Sequence, residues 1–406
     1  MTCLVTPRRA VTLAVVVAAL GYFVDIYDLL LYAIVRRPSL LDLGVDKDHL
    51  LETGVRLDNM QMGALLLGGI VWGVLGDKRG RLSVLFGSIL VYSVANIANG
   101  FVQTIPQYAV ARFVAGLGLA GELGAGITLV SESLPKESRG YGTTIVASVG
   151  ITGAVAAVLV GKLTHWRTSY FIGGGLGLGL LLLRVGVLES GLYEKAKTHG
   201  SRGNFLMLFS SWRRFKRYAA VILVGIPIWY VVGVLVKFSD AIGGALGVAA
   251  VDPAMSILFC YSGLAIGDLS SGALSQWTKS RKKSVLVFMT ITTLGVILYF
   301  TLGGASLTLF YSCCAIAGFG SGYWAVFMTS ASEQFGTNLR ATATTTAPNF
   351  VRGATVPMTV VFIALRTGAL GVAGAAIAVG IPCLCLAFLG LWSLDETYGR
   401  DLDFND

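Results

Sequence analysis

Charge is scarce in this chain. Of its 406 residues only 13% are Asp, Glu, Lys or Arg and 55% are hydrophobic, whereas soluble domains carry roughly 25% charged residues. With a mean hydropathy of +0.74, too few polar side chains exist to cover a water-soluble surface, which leaves an integral membrane protein. Histidine is nearly missing. The three that occur, His49, His165 and His199, fall in predicted loops, so any proton path through the apolar segments must use carboxylates. Cysteine is also sparse: Cys260, Cys313, Cys314, Cys383 and Cys385 lie inside apolar segments and Cys3 on the N-terminal tail, which excludes an extracellular disulfide framework. Cys383 and Cys385 point to different faces of one helix and read as packing rather than as metal ligands. No nucleophile–base or metal constellation stands out among the helices, so no enzyme activity, cofactor or metal site is expected.

What is abundant is apolar sequence in pieces of about 20 residues, the length that crosses a bilayer. Twelve spans are predicted, at 10–35, 58–76, 82–102, 106–131, 140–162, 168–189, 218–238, 254–276, 284–302, 306–331, 341–365 and 369–394. The first is too long, and too polar in its second half, for a signal-peptide core, and no small-residue cleavage site follows it. Lys and Arg concentrate in alternate loops, as in Lys78, Arg79, Arg81, Lys136, Arg139, Arg213, Arg214, Lys279 and Arg281. By the positive-inside rule both termini are expected on the cytoplasmic side of a plasma or bacterial inner membrane. The formal charge of +9 then reflects topology, and a nucleic-acid partner is not expected.

The sequence repeats at an offset of about 200 residues. "ESLPKESRGYGTT" at 132–144 is echoed by "EQFGTNLRATATT" at 333–345, "AGLG" at 115–118 by "AGFG" at 317–320, and "GVLGDKRGRLSVL" by the worn "GALSQWTKSRKKSVL". The expected fold is all-α, with twelve transmembrane helices in two pseudo-symmetric six-helix bundles, residues 1–189 and 218–406, joined by a basic cytoplasmic linker, 190–217. The linker's amphipathic centre is suited to lying along the inner membrane surface. This is the arrangement described for major facilitator carriers, with a solute site between the bundles.

The motifs themselves resemble that superfamily. "GVLGDKRGR", Gly73 to Arg81, matches the loop motif G-x-L-x-D-x-x-G-R at every defined position, and "RFVAGLGLAGE", Arg112 to Glu122, looks like its fourth-span motif. "ESLPKESRG", "ESGLY" and "ETYGRDL" resemble elements of the sugar-porter-like branch, which also holds phosphate, carboxylate and organic-ion carriers. Several of those carry an aromatic-flanked D-x-x-D in the first span, as Asp25 and Asp28 do here. Two departures narrow the cargo. The seventh span, "GIPIWYVVGVLVKF", has no amide, which argues against a hexose, and the fifth span has glycines but no proline, which argues against drug/proton exchange.

Away from the span ends, seven charges fall inside the predicted spans: Asp25, Asp28, Arg112, Glu122, Arg184, Asp268 and Arg352. Each is costly facing lipid and is therefore a functional candidate. Arg184 is the exception, placed one turn from the inner end of its span where it can snorkel. Asp25 and Asp28 share a helix face with Tyr22 and Tyr32. Asp28 and Arg112 lie at similar depth and are expected to pair. That leaves one acid, the deeper Asp25 above all, to carry a proton, with Glu122 and Asp268 as secondary candidates. Arg352, with Thr345, Asn349, Thr355 and Thr359 along one side, is a fork suited to carboxylate or phosphate. Trp229, Tyr230, Tyr323, Trp324 and Phe327 are candidates to wall the cavity.

At the inner rim, Gly73, Asp77, Gly80 and Arg81 form the loop motif, and Glu132 with Arg139 and Glu333 with Arg340 are placed to pair and to latch the outward-open state. The expectation is a proton-coupled symporter of a small anion, phosphate or carboxylate, working by alternating access as a monomer in the bilayer. Two rivals stay open: a carrier of a metal ion or organic amine through a net acidic cavity, and a transport-dead sensor on the same scaffold. The outer stretch 36–58 reads as a solvated connector.

Overall fold

The computed structural model describes residues 7–79, 81–122, 139–189 and 205–400. Among these residues there is no strand, and ten helical stretches are long and apolar enough to cross a membrane. The helices of the first half are α1 (Pro7–Asp42), α2 (Leu50–Arg79), α3 (Arg81–Phe101), α4 (Ile105–Leu119), α5 (Arg139–Leu163) and α6 (Trp166–Glu189). The second half has α7 (Trp212–Tyr230), the short α8 (Ser239–Ala245), α9 (Pro253–Trp277), α10 (Arg281–Thr301), α11 (Leu307–Ser321), α12 (Trp324–Glu333), α13 (Thr337–Gly353), α14 (Thr355–Arg366) and α15 (Gly371–Ser393). Below, the face where α1 begins is called inner, after the orientation expected from the basic loops.

All twelve expected spans occur as helices, but several boundaries differ. α1 runs on through Pro38 to Asp42 and α2 already starts at Leu50, so the stretch taken for a solvated connector is mostly helix. α7 begins at Trp212, inside the expected linker, and passes at Tyr230 into a π-helical segment, Val231–Val236. The tenth span breaks at Gly322 and Tyr323 into α11 and α12, and the eleventh breaks at Ala354 into α13 and α14. Hydropathy sees none of these breaks, because each lies within a single apolar stretch of span length.

The packing repeats as the sequence does. In the first half α1 lies along α5 and α2 along α4; in the second, α7 lies along α13 and α9 along α11. The bundles meet along two seams, α2 against α13 and α5 against α9. In lipid, helices associate through close packing and hydrogen bonds rather than hydrophobic burial, and glycines supply the closeness. Gly150, Gly153 and Gly161 of α5 press on Tyr22, the Phe23 carbonyl and Ile34 of α1, while Gly318 of α11 sits on the Cys260 backbone of α9.

A β-branched side chain at Gly153 has only backbone to push against. Gly153→Val is expected to cost about 1–3 kcal/mol and to lower the thermal unfolding temperature of the detergent-solubilised protein. Gly175→Val, with open space around its α-carbon, is the control expected to leave it unchanged.

Candidate functional site

The centre of the molecule is an ion pair between the bundles. Arg352, the penultimate residue of α13, donates through Nη2 to Asp25 Oδ2 of α1 at 2.7 Å, and both side chains are 0% exposed. Thr355 at the start of α14 donates to the Arg352 carbonyl, so the helix break is tied to the arginine that precedes it. The Trp229 ring lies 5.7 Å from the Arg352 guanidinium and 5.9 Å from the Lys237 ammonium, so one indole serves two cations. Tyr22 and Tyr261 complete the surroundings, both within electrostatic reach of Asp25 and Arg352.

Asp28 does not meet Arg112. Both its carboxylate oxygens are buried without a hydrogen-bond partner by geometry, against Gly173 of α6, with Asn96 of α3 as a polar neighbour. Arg112 is turned the other way, towards α2. It donates to the Leu57 carbonyl at 3.0 Å, to Gln61, and to Asp58 at 3.5 Å, touches the Tyr170 hydroxyl at 3.3 Å, and lies 3.5 Å over the Tyr32 ring. Equal depth in two helices fixes height but not azimuth, and azimuth is what separates Asp28 from Arg112.

The acid that Arg112 does face, Asp58, was counted as a loop residue. It is buried in α2 and also accepts from Lys237 Nζ of the other bundle at 3.0 Å and 3.2 Å. Nearby, Arg36 of α1 clasps both oxygens of Asp240 at 2.7 Å, donates to the Lys237 carbonyl, and lies over Phe238. Lys162 pairs with Asp252 at 2.6 Å, and Thr359 donates to Asn59 at 2.7 Å. All four contacts join the two bundles on the outer side of Asp25. Sequence reasoning missed Arg36, Asp58, Lys237 and Asp240, since each stands at the end of a predicted span or just past it.

On the inner side the seam is closed by Asn349. Its Nδ2 donates at 2.8 Å to the Ala120 carbonyl, one of the orphan acceptors at the end of α4. The side chain packs on Gly69, and Thr346 packs on Gly73 a turn below. Asn349 is therefore a seam residue rather than a free cavity ligand. The central pair is shut off from both faces, which makes this an occluded arrangement.

The remaining candidates separate. Arg184 does not snorkel: it is buried and grips Glu122 bidentately against Gly21 of α1. Glu122 is thereby committed to a brace inside the first bundle. Tyr230 donates to the Ala376 carbonyl and packs on Gly380 of α15, and Tyr323 donates to the Val224 carbonyl, so both hydroxyls are spent within the second bundle. Trp324 and Phe327 stack on each other at 5.2 Å. Asp268 accepts the Ala325 amide of α12 at 2.9 Å.

At the inner rim, Glu333 pairs with Arg281 at 3.2 Å and accepts from Thr397, while Arg340 donates to the Ser332 carbonyl. The expected Glu333–Arg340 pair is replaced because the segment 394–400 folds back against α10 and brings a nearer set of partners. Glu396 there caps α10, accepting the Arg281 and Lys282 amides and the Ser280 hydroxyl. Partial burial works against its charge, yet these bonds hold its carboxyl below the ordinary glutamate range. The Asp77, Gly80, Arg81, Glu132 and Arg139 side chains lie outside the described residues.

A helical membrane protein in two like halves, joined across their interface by buried ion pairs, has the form of a carrier. The family model of the Major Facilitator Superfamily matches residues 51–354. The chain belongs to that superfamily. A Bacillus subtilis protein named as a niacin/nicotinamide transporter is 24% identical over 344 residues, covering 83% of this chain and 84% of that one. A Cupriavidus pinatubonensis protein named as a 4-methylmuconolactone transporter is 25% identical over 397 residues, 93% and 89% of the two chains. The solved structure of the proton:xylose symporter XylE superposes with a TM-score of 0.73 over 98% of each chain at 16% identity, which speaks to the fold alone. This member of the superfamily is a transporter of small solutes rather than an enzyme.

The brace has a direct test. Glu122→Gln strands the Arg184 charge and is expected to cost about 3–5 kcal/mol, whereas Glu122→Leu with Arg184→Leu regains most of that. Thermal unfolding of the parent, Glu122→Leu, Arg184→Leu and the double variant, alongside Glu122→Gln, checks it; additive losses would show that the two side chains act separately.

Proposed function

We propose that this carrier moves a small organic carboxylate together with a proton, and that Asp25 and the cargo compete for Arg352. The observation that carries the reading is the cross-bundle Asp25–Arg352 pair, both partners fully buried. A guanidinium already held by an internal carboxylate has no free fork for an external one. Protonation of Asp25 removes the internal competitor and presents both Nη groups to the cargo. The loaded site then holds one cation, one cargo anion and one neutral acid, so no net charge is left in a low-dielectric centre when the bundles rock.

The rest of the site supports an anion over a cation. Asp58 is held by Lys237 and Arg112, and Glu122 by Arg184. Few acids are therefore left for a metal ion or an amine. Asp28, with no cation paired to it among the described residues and Asn96 as its polar neighbour, stands as a reserve proton carrier one turn from Asp25. A single guanidinium beside the flat face of Trp229 fits a planar ring bearing one carboxylate better than phosphate, which asks for several donors. Niacin, nicotinamide and 4-methylmuconolactone, the solutes named for the two relatives, are small ring compounds, and niacin and the muconolactone bear a carboxyl group.

Uptake of labelled nicotinate and benzoate into proteoliposomes, with and without an imposed pH gradient, tests this. Accumulation is expected only with acid on the entry side; transport of either solute that ignores the gradient, or no transport of both, refutes the reading. Competition makes a sharper demand. Asp25→Asn is expected to abolish proton-driven accumulation yet to bind nicotinate about tenfold more tightly, about 1.4 kcal/mol, while Arg352→Ala loses binding. Equal or weaker binding by Asp25→Asn would rule out competition for the arginine.

A further inference from the structure

Opening the outer side separates charges that the closed contacts hold together, and the two bundles do not share them evenly. Arg36 belongs to the first bundle: its stem lies on Gly54 of α2, where a Cβ would meet Arg36 Cδ at 2.6 Å. Its guanidinium reaches across to the second, clasping both oxygens of Asp240 at 2.7 Å and donating to the Lys237 carbonyl at 3.3 Å. Lys237 reaches the other way, to Asp58 at 3.0 Å. Parting the bundles breaks both pairs at once and regroups their charges wall by wall.

On the second-bundle wall Lys237 and Asp240 are three residues apart and both touch one guanidinium, so they are close enough to neutralise each other. On the first-bundle wall the acids already have cations of their own. Asp58 faces Arg112 at 3.5 Å, Asp42 pairs with Arg167 at 3.5 Å, and Glu52 pairs with Arg56 at 2.5 Å. Asp46 and Asp48 flank Lys47 in an exposed turn. Arg37 is exposed, and Lys162, which parting releases from Asp252, is 44% exposed, so water serves both. Arg36 is only 4% exposed. It is the buried cation that parting leaves without a carboxylate. Its place matters too: Arg36 stands eleven residues beyond Asp25, within about 20° of three full helical turns and roughly 16 Å further out. Asp25, Tyr32 and Arg36 thus fall on one stripe of α1.

We propose that Arg36 is an outer docking site for a monovalent organic carboxylate, the first protein cation the cargo meets. In the open state its planar fork takes the carboxylate from solution, at the head of the stripe that leads to Asp25 and Arg352. On closure Asp240 reclaims the same Nη2 and displaces the carboxylate inward. Outer and central sites then work alike, each an arginine held by an internal acid when empty and by the cargo when loaded.

This inference rests on the carboxylate-carrier reading, and its test keeps the two apart. Exchanging the residues, Arg36→Asp with Asp240→Arg, preserves the ion pair and the net charge but puts an acid on the first-bundle wall when the side opens. With nicotinate as probe, the exchanged protein and Arg36→Gln are expected to raise the outer-face KM about tenfold with kcat within about threefold, while Arg36→Lys stays within about threefold of the parent KM. A parent-like KM in the exchanged protein, or a fall in kcat at unchanged KM in Arg36→Gln, would make the contact a clasp only and overturn the proposal. A second readout needs no cargo. Asn59 lies about 8 Å along α2 from Gly54, accepts from Thr359 of the other bundle and is uncovered when that contact opens. In Asn59→Cys, with Cys3→Ser and Cys385→Ser and the other four cysteines buried, modification by a sulfonate-bearing and a trimethylammonium-bearing methanethiosulfonate is compared. The sulfonate-to-ammonium rate ratio is expected to fall about threefold or more on exchanging Arg36 and Asp240. An unchanged ratio would show that the two side chains stay together in the open state and would equally overturn the proposal. If the parent does not carry nicotinate, the carboxylate reading fails and the reagent ratio still decides whether Arg36 stands alone.

Discussion

A charge inside hydrocarbon must be paired, neutralised by a proton, or kept wet. That constraint organises this transporter. Among the described residues its buried charges form a small number of closed contacts, and the contacts differ in what they join. Glu122 with Arg184 ties helices within one bundle. Asp25 with Arg352, Asp58 with Lys237 and Arg36 with Asp240 cross from one bundle to the other. A brace of the first kind has no reason to break during transport, whereas every contact of the second kind must break for one face or the other to open. Burial makes each of them costly to lose unless a substitute partner is ready.

The substitutes are built in. When the outer side opens, Lys237 leaves Asp58, but Asp58 still faces Arg112, whose guanidinium is further held by Tyr32, Tyr170 and the Leu57 carbonyl. Lys237 itself ends a π-helical segment, a backbone form with looser internal bonding that recurs at functional positions. At the centre no second protein cation waits for Asp25. In the proposed cycle a proton fills that role, and the cargo carboxylate takes the place Asp25 leaves. The outer acids can therefore exchange partners within the protein, while the central one exchanges partners with what is being carried.

The class of fold was legible in the sequence because it rests on strong, long signals: runs of about 20 apolar residues, alternating basic loops and a repeat of motifs. Asp25 and Arg352 were legible for a related reason, since a charge in the middle of an apolar run stands out. Pairings were not. Arg112 and Asp28 agree in depth, yet face different helices, and rotation about the helix axis leaves no trace in composition. Arg36, Asp58 and Lys237 were hidden by the same criterion that exposed Asp25: lying just past the apolar runs, they count as loop charges until a three-dimensional contact buries them. The breaks before Trp324 and after Gly353 were invisible because Gly322 and Ala354 are unremarkable in an apolar segment.

The two broken spans then gain a common meaning. A break in a transmembrane helix exposes amides and carbonyls that lipid cannot satisfy, so the chain keeps such a break only where protein groups satisfy it. In the eleventh span the break follows Arg352, and Thr355 covers the freed carbonyl. In the tenth it follows Gly322, and Asp268 covers the freed amide. Both irregularities sit at a charged residue of the second bundle, and both of those residues look across to α1, to Asp25 and to Tyr22. The first bundle supplies the site with a straight helix bearing its acids, and the second supplies two bent ones whose bends are held by the groups that answer those acids. Under the proposed coupling, rearranging the charge at the centre would therefore act on the two breaks of the second bundle and give proton binding a mechanical route to the rest of the carrier.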